Sequence, residues 1–151
     1  MISNVEEVLK STGVAISGFS GTSMMPMLRQ GKDKVVISAL DRPLKLHDVP
    51  LYKSGDNKYV LHRIIKVKPD GYVIRGDNLY NNECNVTDEN IIGVLTGFYR
   101  GEKYIDLNGK GYKFYVFYVR VSYPLRWLLF NFLKPKLWAL KQKLLGKSKH
   151  K

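Results

Sequence analysis

The 151-residue chain contains a single cysteine, Cys84, so no intrachain disulfide can form and a metal site built from cysteines is excluded. Long apolar runs are missing too. No stretch reaches the roughly 18 uninterrupted apolar residues of a clean membrane span. The segment MISNVEEVLKSTG carries two glutamates and too short an apolar run for a secretory signal peptide. The most uneven shortage is of acid. Residues 1–106 hold 14 Lys+Arg against 13 Asp+Glu, whereas residues 107–151 hold 11 Lys+Arg and no acid. The net charge of +12 therefore sits almost wholly on the last third of the chain. A near-neutral body carries a basic tail, and the two need separate explanations.

The length suits one domain with a real core. A hydrophobic fraction of 44% with 25% charged residues is that of a globular protein, which argues against disorder. Residues 5–9 read as one side of a short amphipathic helix through Val5, Val8 and Leu9. Beyond it come short runs rich in Val, Ile and Tyr: VAISGF, DKVVISAL, DVPLYK, KYVLHRIIKV, GYVIRGD, IIGVLTGFY and KYIDL. Turn residues separate them, and KPDG and SGDNKY predict hairpins. No helix of 10–15 residues alternates with these strands, so a doubly wound parallel sheet is disfavoured. The expected class is mainly β, with a short N-terminal helix and a helical C-terminal tail. The division falls between a body of residues 1–112 and a tail of residues 113–151.

Within the body, FSGTSMMPML places Ser23 at the end of a small-residue loop, ahead of three methionines and a proline. A serine hydroxyl becomes a nucleophile only beside a base and near donors for an oxyanion. Of three histidines, His150 lies in the lysine-rich terminus and His47 in the turn KLHDVP. His62 lies in the run YVLHRII, sharing a strand face with Val60 and Ile64, a setting dry enough to keep its imidazole neutral. The bland reading is that a loop serine followed by methionines is turn plus core, and that a strand histidine is structural.

The order SGTSMMPML, HRII, RGDN and ENIIG, with His62 39 residues after Ser23, resembles the superfamily of signal peptidase I and LexA-type serine peptidases. The resemblance spans nearly all of residues 14–107. It implies a β-rich catalytic domain that hydrolyses peptide bonds through an acyl-enzyme, without a metal or cofactor. By position Ser23 matches the nucleophile and His62 the base. Histidine followed by arginine resembles the archaeal and endoplasmic-reticulum branch, where others have lysine. Asp77 of the Gly-Asp box matches the third catalytic residue, although a plain turn fits Gly76-Asp77 equally. Glu83 and Asp88 are further acids nearby. The resemblance also implies the Ser23 N–H as an oxyanion donor. It implies an extended substrate beside a strand edge, with small side chains near the scissile bond. Thr22, Met24 and Met25 are the candidate substrate contacts, and Met27 a further groove candidate. His47 stands where the family often has glycine.

In the tail, Leu125, Leu128, Leu129, Phe132, Leu133, Leu137, Leu140 and Leu144 follow helical spacing from Pro124. Lys and Arg lie largely elsewhere, Pro135 predicts a kink, and Trp127 and Trp138 suit an interface. The tail is expected to rest on an anionic membrane surface; packing on the body or a partner competes, and nucleic acid is disfavoured by so much leucine and tryptophan. The sequence therefore reads as a serine endopeptidase that processes a leader or signal peptide at a membrane surface. It is most similar to compact, stand-alone bacterial members of the superfamily. The association is peripheral, and the lack of an N-terminal anchor is compatible with the cytoplasmic face. A non-catalytic peptide- or membrane-binding module on the same fold is the alternative.

Overall fold

The computed structural model describes residues 5–55, 58–133 and 136. The chain is mainly β. Helix α1 (Val5–Thr12) is followed by β1 (Val14–Gly18), β2 (Asp33–Ser38), β3 (Pro50–Lys53), β4 (Tyr59–Leu61), β5 (Arg63–Lys68), β6 (Gly71–Arg75), β7 (Glu83–Val86), β8 (Ile91–Arg100) and β9 (Lys103–Asp106). Helix α2 (Lys110–Leu128) comes last and runs into a π-helical turn, Leu129–Leu133. One sheet has the order β1-β2-β8-β3-β4, with β9 also on β8, and the other has the order β5-β6-β7. All pairings are antiparallel.

The long strand β8 organises the larger sheet. One edge pairs with β2, and the other pairs first with β3 and then with β9. Its Val94, Leu95 and Phe98 are buried, as are Val35 and Ile37 of β2. A core cluster joins the two sheets through Leu44, Tyr52, Ile64, Tyr72, Ile74 and Val86. Each such apolar side chain contributes about 1.5–3 kcal/mol when fully buried. Both predicted hairpins form. Gly71 (φ 141°) follows the β5–β6 turn, and Ser54 N–H donates to Lys58 C=O across the β3–β4 turn. In α1, Val5 and Leu9 are buried while Val8 is partly exposed.

The run read as one strand through His62 is two. β4 belongs to the larger sheet and β5 to the smaller, and His62 is the single residue between them, where the chain changes sheets. The helix expected from Pro124 begins earlier, at Lys110, and Pro124 lies inside it. Asp106 starts it: its carboxylate accepts from Asn108 N–H, its carbonyl accepts from Gly109 N–H, and Lys113 N–H then donates to Gly109 C=O.

Two compact units divide after Lys113. In the second, Phe114, Phe117, Val121, Leu125 and Leu128 follow one helical face and are exposed. No described helix is long and apolar enough to cross a membrane. Pro135, Leu137, Trp138, Leu140, Lys141, Lys143, Leu144 and His150 lie outside the described residues.

Candidate active site

The serine loop is a stiff excursion between β1 and β2. Gly31 (φ 69°) N–H donates to Phe19 C=O, closing its base, and Gly21 (φ 103°) N–H donates to the Gln30 side chain. Inside, Leu28 N–H donates to Met24 C=O. Met24 is fully buried, and Met27 and Leu28 are buried beside it. Of the three candidate substrate contacts, Met24 is thus a core side chain, whereas Met25 and Thr22 are exposed. Behind the loop, buried Asp33 accepts from Arg29 N–H and from Arg100, which also donates to Met27 C=O. Burial opposes the Asp33 charge, but these bonds prevail and hold its carboxyl below the usual range.

The turn after β6 clasps the loop from the other side. Asn78 N–H donates to Ser23 C=O at 2.7 Å, and the Asn78 side chain donates to Thr22 C=O at 3.2 Å. Gly76 fits between Ser23 and His62. A methyl group on Gly76 would lie 2.7 Å from Ser23 C=O, 3.0 Å from Ser23 Cβ and 3.1 Å from His62 Cδ2. The two candidate residues therefore converge on one point, across a residue with no side chain. The ring carbon facing that point, Cδ2, is bonded to Nε2.

The opposite ring nitrogen is held. His62 Nδ1 lies 2.8 Å from Glu83 Oε1 and 3.1 Å from the Tyr52 hydroxyl, which donates to Glu83 Oε2 at 2.8 Å. The network assigns the proton to Nδ1, because a carboxylate only accepts. Nε2 is then the basic nitrogen. Burial lowers the His62 pKa below its ordinary value, and the Glu83 charge and hydrogen bond, with the Asp77 charge, partly offset this. Burial first, and then Glu83, push the Tyr52 hydroxyl well up, so it stays a donor.

Asp77, matched to the third catalytic position, is instead bound to the residue next to the base. Its two oxygens accept from Arg63 Nε at 2.7 Å and Nη2 at 2.6 Å, and both side chains are buried. Arg63 also donates to His47 C=O and to the Tyr112 hydroxyl. Burial works against its charge, yet the Asp77 bonds raise its pKa. The acid hydrogen-bonded to His62 is Glu83, on β7. Asp88 follows the C-terminal end of that strand and accepts from Tyr72. His47 has φ 76°, a left-handed conformation that glycine adopts more readily than histidine. It faces the Arg63 side of the turn through its carbonyl.

Tyr52, Asn78 and Gly76 were not legible as site residues. Tyr52 reads as one more β-strand aromatic, and only the pairing of β3 with β4 brings it beside His62. Asn78 follows the Gly-Asp pair directly, which was the one available signal. No protein-family model matches the sequence, and no curated protein matches it.

Proposed function

We propose that the chain is a serine endopeptidase of the signal-peptidase and LexA-like type, with Ser23 as nucleophile, His62 as base and Glu83 as the acid that orients it. The observation that carries this reading is the His62–Glu83–Tyr52 hydrogen-bond network, which supports a tautomer with Nε2 unprotonated, in a ring that shares the Gly76 position with Ser23. A buried imidazole with a depressed pKa and a fixed carboxylate partner is the state a general base needs near neutral pH.

In this mechanism His62 Nε2 takes the Ser23 hydroxyl proton as Oγ attacks the peptide carbonyl carbon. The imidazolium is stabilised by Glu83, and Ser23 N–H donates to the oxyanion. His62 then returns the proton to the leaving amine, and an acyl-enzyme remains on Ser23. Water hydrolyses it with His62 again as base. Asp77 serves through Arg63: the buried pair ties the residue after the histidine to the residue after Gly76.

The tail fits an anionic membrane surface. The exposed apolar face of α2 and the excess of 11 Lys+Arg over no acid in residues 107–151 together suit interfacial binding. The substrate is accordingly read as a leader or signal segment presented at that surface. The test is cleavage of a vesicle-associated leader peptide by the full chain. Ser23→Ala should abolish it with the melting temperature nearly unchanged. Cleavage by Ser23→Ala at the wild-type rate would defeat the assignment and leave a peptide-binding module.

A further inference from the structure

Arg63 directly follows His62, and only 3% of it is exposed. A guanidinium carries five N–H donors and no acceptor, so its burial calls for five partners. Nε and one Nη2 donor reach the two Asp77 oxygens. Nη2 also lies 3.4 Å from Met27 Sδ. The two Nη1 donors go to His47 C=O at 3.1 Å and to the Tyr112 hydroxyl. The acceptors come from the Gly76–Asp77 turn, the serine loop, the turn before β3 and the first turn of α2. Tyr112 has no part in the mechanism above. It is partly buried and lies within the body's compact unit, which ends at Lys113. Lys113 N–H donates to Gly109 C=O and closes the helical turn that carries it. Burial raises the Tyr112 pKa against the pull of the Arg63 charge, so the oxygen is a neutral acceptor at neutral pH.

We propose that Tyr112 is a positioning residue for His62: by accepting from Arg63 Nη1 it fixes the guanidinium that ties the serine loop and the Gly76 turn around the base. The first turn of α2 is then part of the site, and its seating sets the alignment of His62 with Ser23. The proposal rests on the peptidase reading for what that alignment serves. Asp77 already holds Arg63 through both oxygens, so the charge is paired without Tyr112. What the tyrosine adds is an acceptor for the other end of the fork. Without the hydroxyl a buried N–H loses its partner, and such a donor is costly enough to draw the group toward water or another oxygen. One peptide bond separates Arg63 from His62, so a displaced guanidinium passes its shift to the ring. A misplacement of about 1 Å in a catalytic array costs up to about a hundredfold in rate.

The experiment compares the full chain with Tyr112→Phe, which removes the hydroxyl and keeps the ring. Hydrolysis of a p-nitrophenyl ester of an acylated alanine dipeptide gives kcat and KM. NMR of the His62 ring nitrogens, in the Ser23→Ala background, gives the tautomer and the pKa without any turnover. Tyr112→Phe should lower kcat about tenfold with KM unchanged. The Nδ1–H tautomer should give way to a mixture. The titratable groups around His62 are Glu83 on β7, Tyr52 on β3 and Asp77 after β6, and burial outweighs them. A loosened ring should therefore titrate closer to the ordinary histidine value of about 6.5, above its wild-type pKa. Tyr118→Phe, on the exposed side of α2, should move neither readout. Asp106→Ala, at an exposed position that starts the helix, should shift both in the same direction and serves should Tyr112→Phe misfold. Wild-type kcat and unchanged His62 signals in these two variants, or a lower melting temperature as their only effect, would overturn the proposal. No hydrolysis by the wild-type chain, with His62 signals that still move in Tyr112→Phe, removes the enzyme and keeps the positioning role. Hydrolysis indifferent to Tyr112→Phe does the reverse.

Discussion

At the scale of single residues, the two acids near His62 do different work, and substitution separates them. Asp77 is buried in a bidentate pair with buried Arg63. Asp77→Asn leaves a guanidinium without its counter-charge and should cost about 3–5 kcal/mol of stability, read by denaturant unfolding. Glu83 is half exposed, so Glu83→Gln should change the melting temperature little while lowering kcat about a hundredfold or more. It should also move the acid limb of the kcat profile to lower pH, because the charge that offsets burial is gone. The His62 pKa is lowered by folding, so the unfolded chain takes up this proton first. The stability tied to His62 is therefore complete above the ordinary histidine value of about 6.5 and is lost as pH falls through the lower folded value. Activity should follow the same direction. Tyr52→Phe should cost about 1 kcal/mol, since Glu83 can turn to water, and should lower kcat without moving KM. Ser23 and His62 stood out as candidates in the sequence because the chemistry restricts which residue types can serve. Glu83 was legible only as one of several acids, since the residues between the Gly-Asp turn and β7 give no periodic signal to fix their register.

At the scale of elements, most strands could be read from β-branched runs between turn residues, and the KPDG hairpin from its turn chemistry. β7 could not: NNECNV has too few apolar residues to announce a strand, and only its pairing with β6, Val86 opposite Tyr72 and Glu83 opposite Ile74, reveals it. The division of KYVLHRIIKV into β4 and β5 was equally hidden, because both halves keep a strand's composition and the change of sheet is decided by tertiary packing. That change puts His62 at a corner, facing Gly76 and the serine loop, rather than in a flat ladder. Gly76→Ala should therefore act on the site more than on the fold. The added carbon meets Ser23 C=O at 2.7 Å and both candidate side chains near 3 Å. Forcing them apart should cost about 1–3 kcal/mol and reduce kcat/KM far more than that stability loss would explain. The residues before Pro124 were not readable as helix for a related reason. KFYVFYVRV has a strand's composition, and the helix is set by the Asp106 turn ahead of it.

At the scale of the whole molecule, charge and apolar surface are segregated along the chain. The body is near neutral and the tail is basic with an exposed apolar face. Binding to anionic vesicles should weaken with added salt, and the double variant Phe117→Glu, Leu125→Glu should reduce it about tenfold or more in co-sedimentation. Hydrolysis of a soluble peptide by the same variant should be unchanged. Loss of the proposed hydrolysis with this variant would mean that the tail does more than bind the surface.

The central claim is covalent chemistry at Ser23 driven by His62, and acyl-enzyme trapping tests it most directly. The chain is mixed at neutral pH with an activated ester of an apolar acylated dipeptide and quenched in acid. The adduct is then located by mass spectrometry of the digest. The account predicts one acyl group on Ser23, absent from Ser23→Ala and strongly reduced in His62→Ala. Acylation confined to lysines, or an adduct on Ser23 that His62→Ala leaves undiminished, would contradict it.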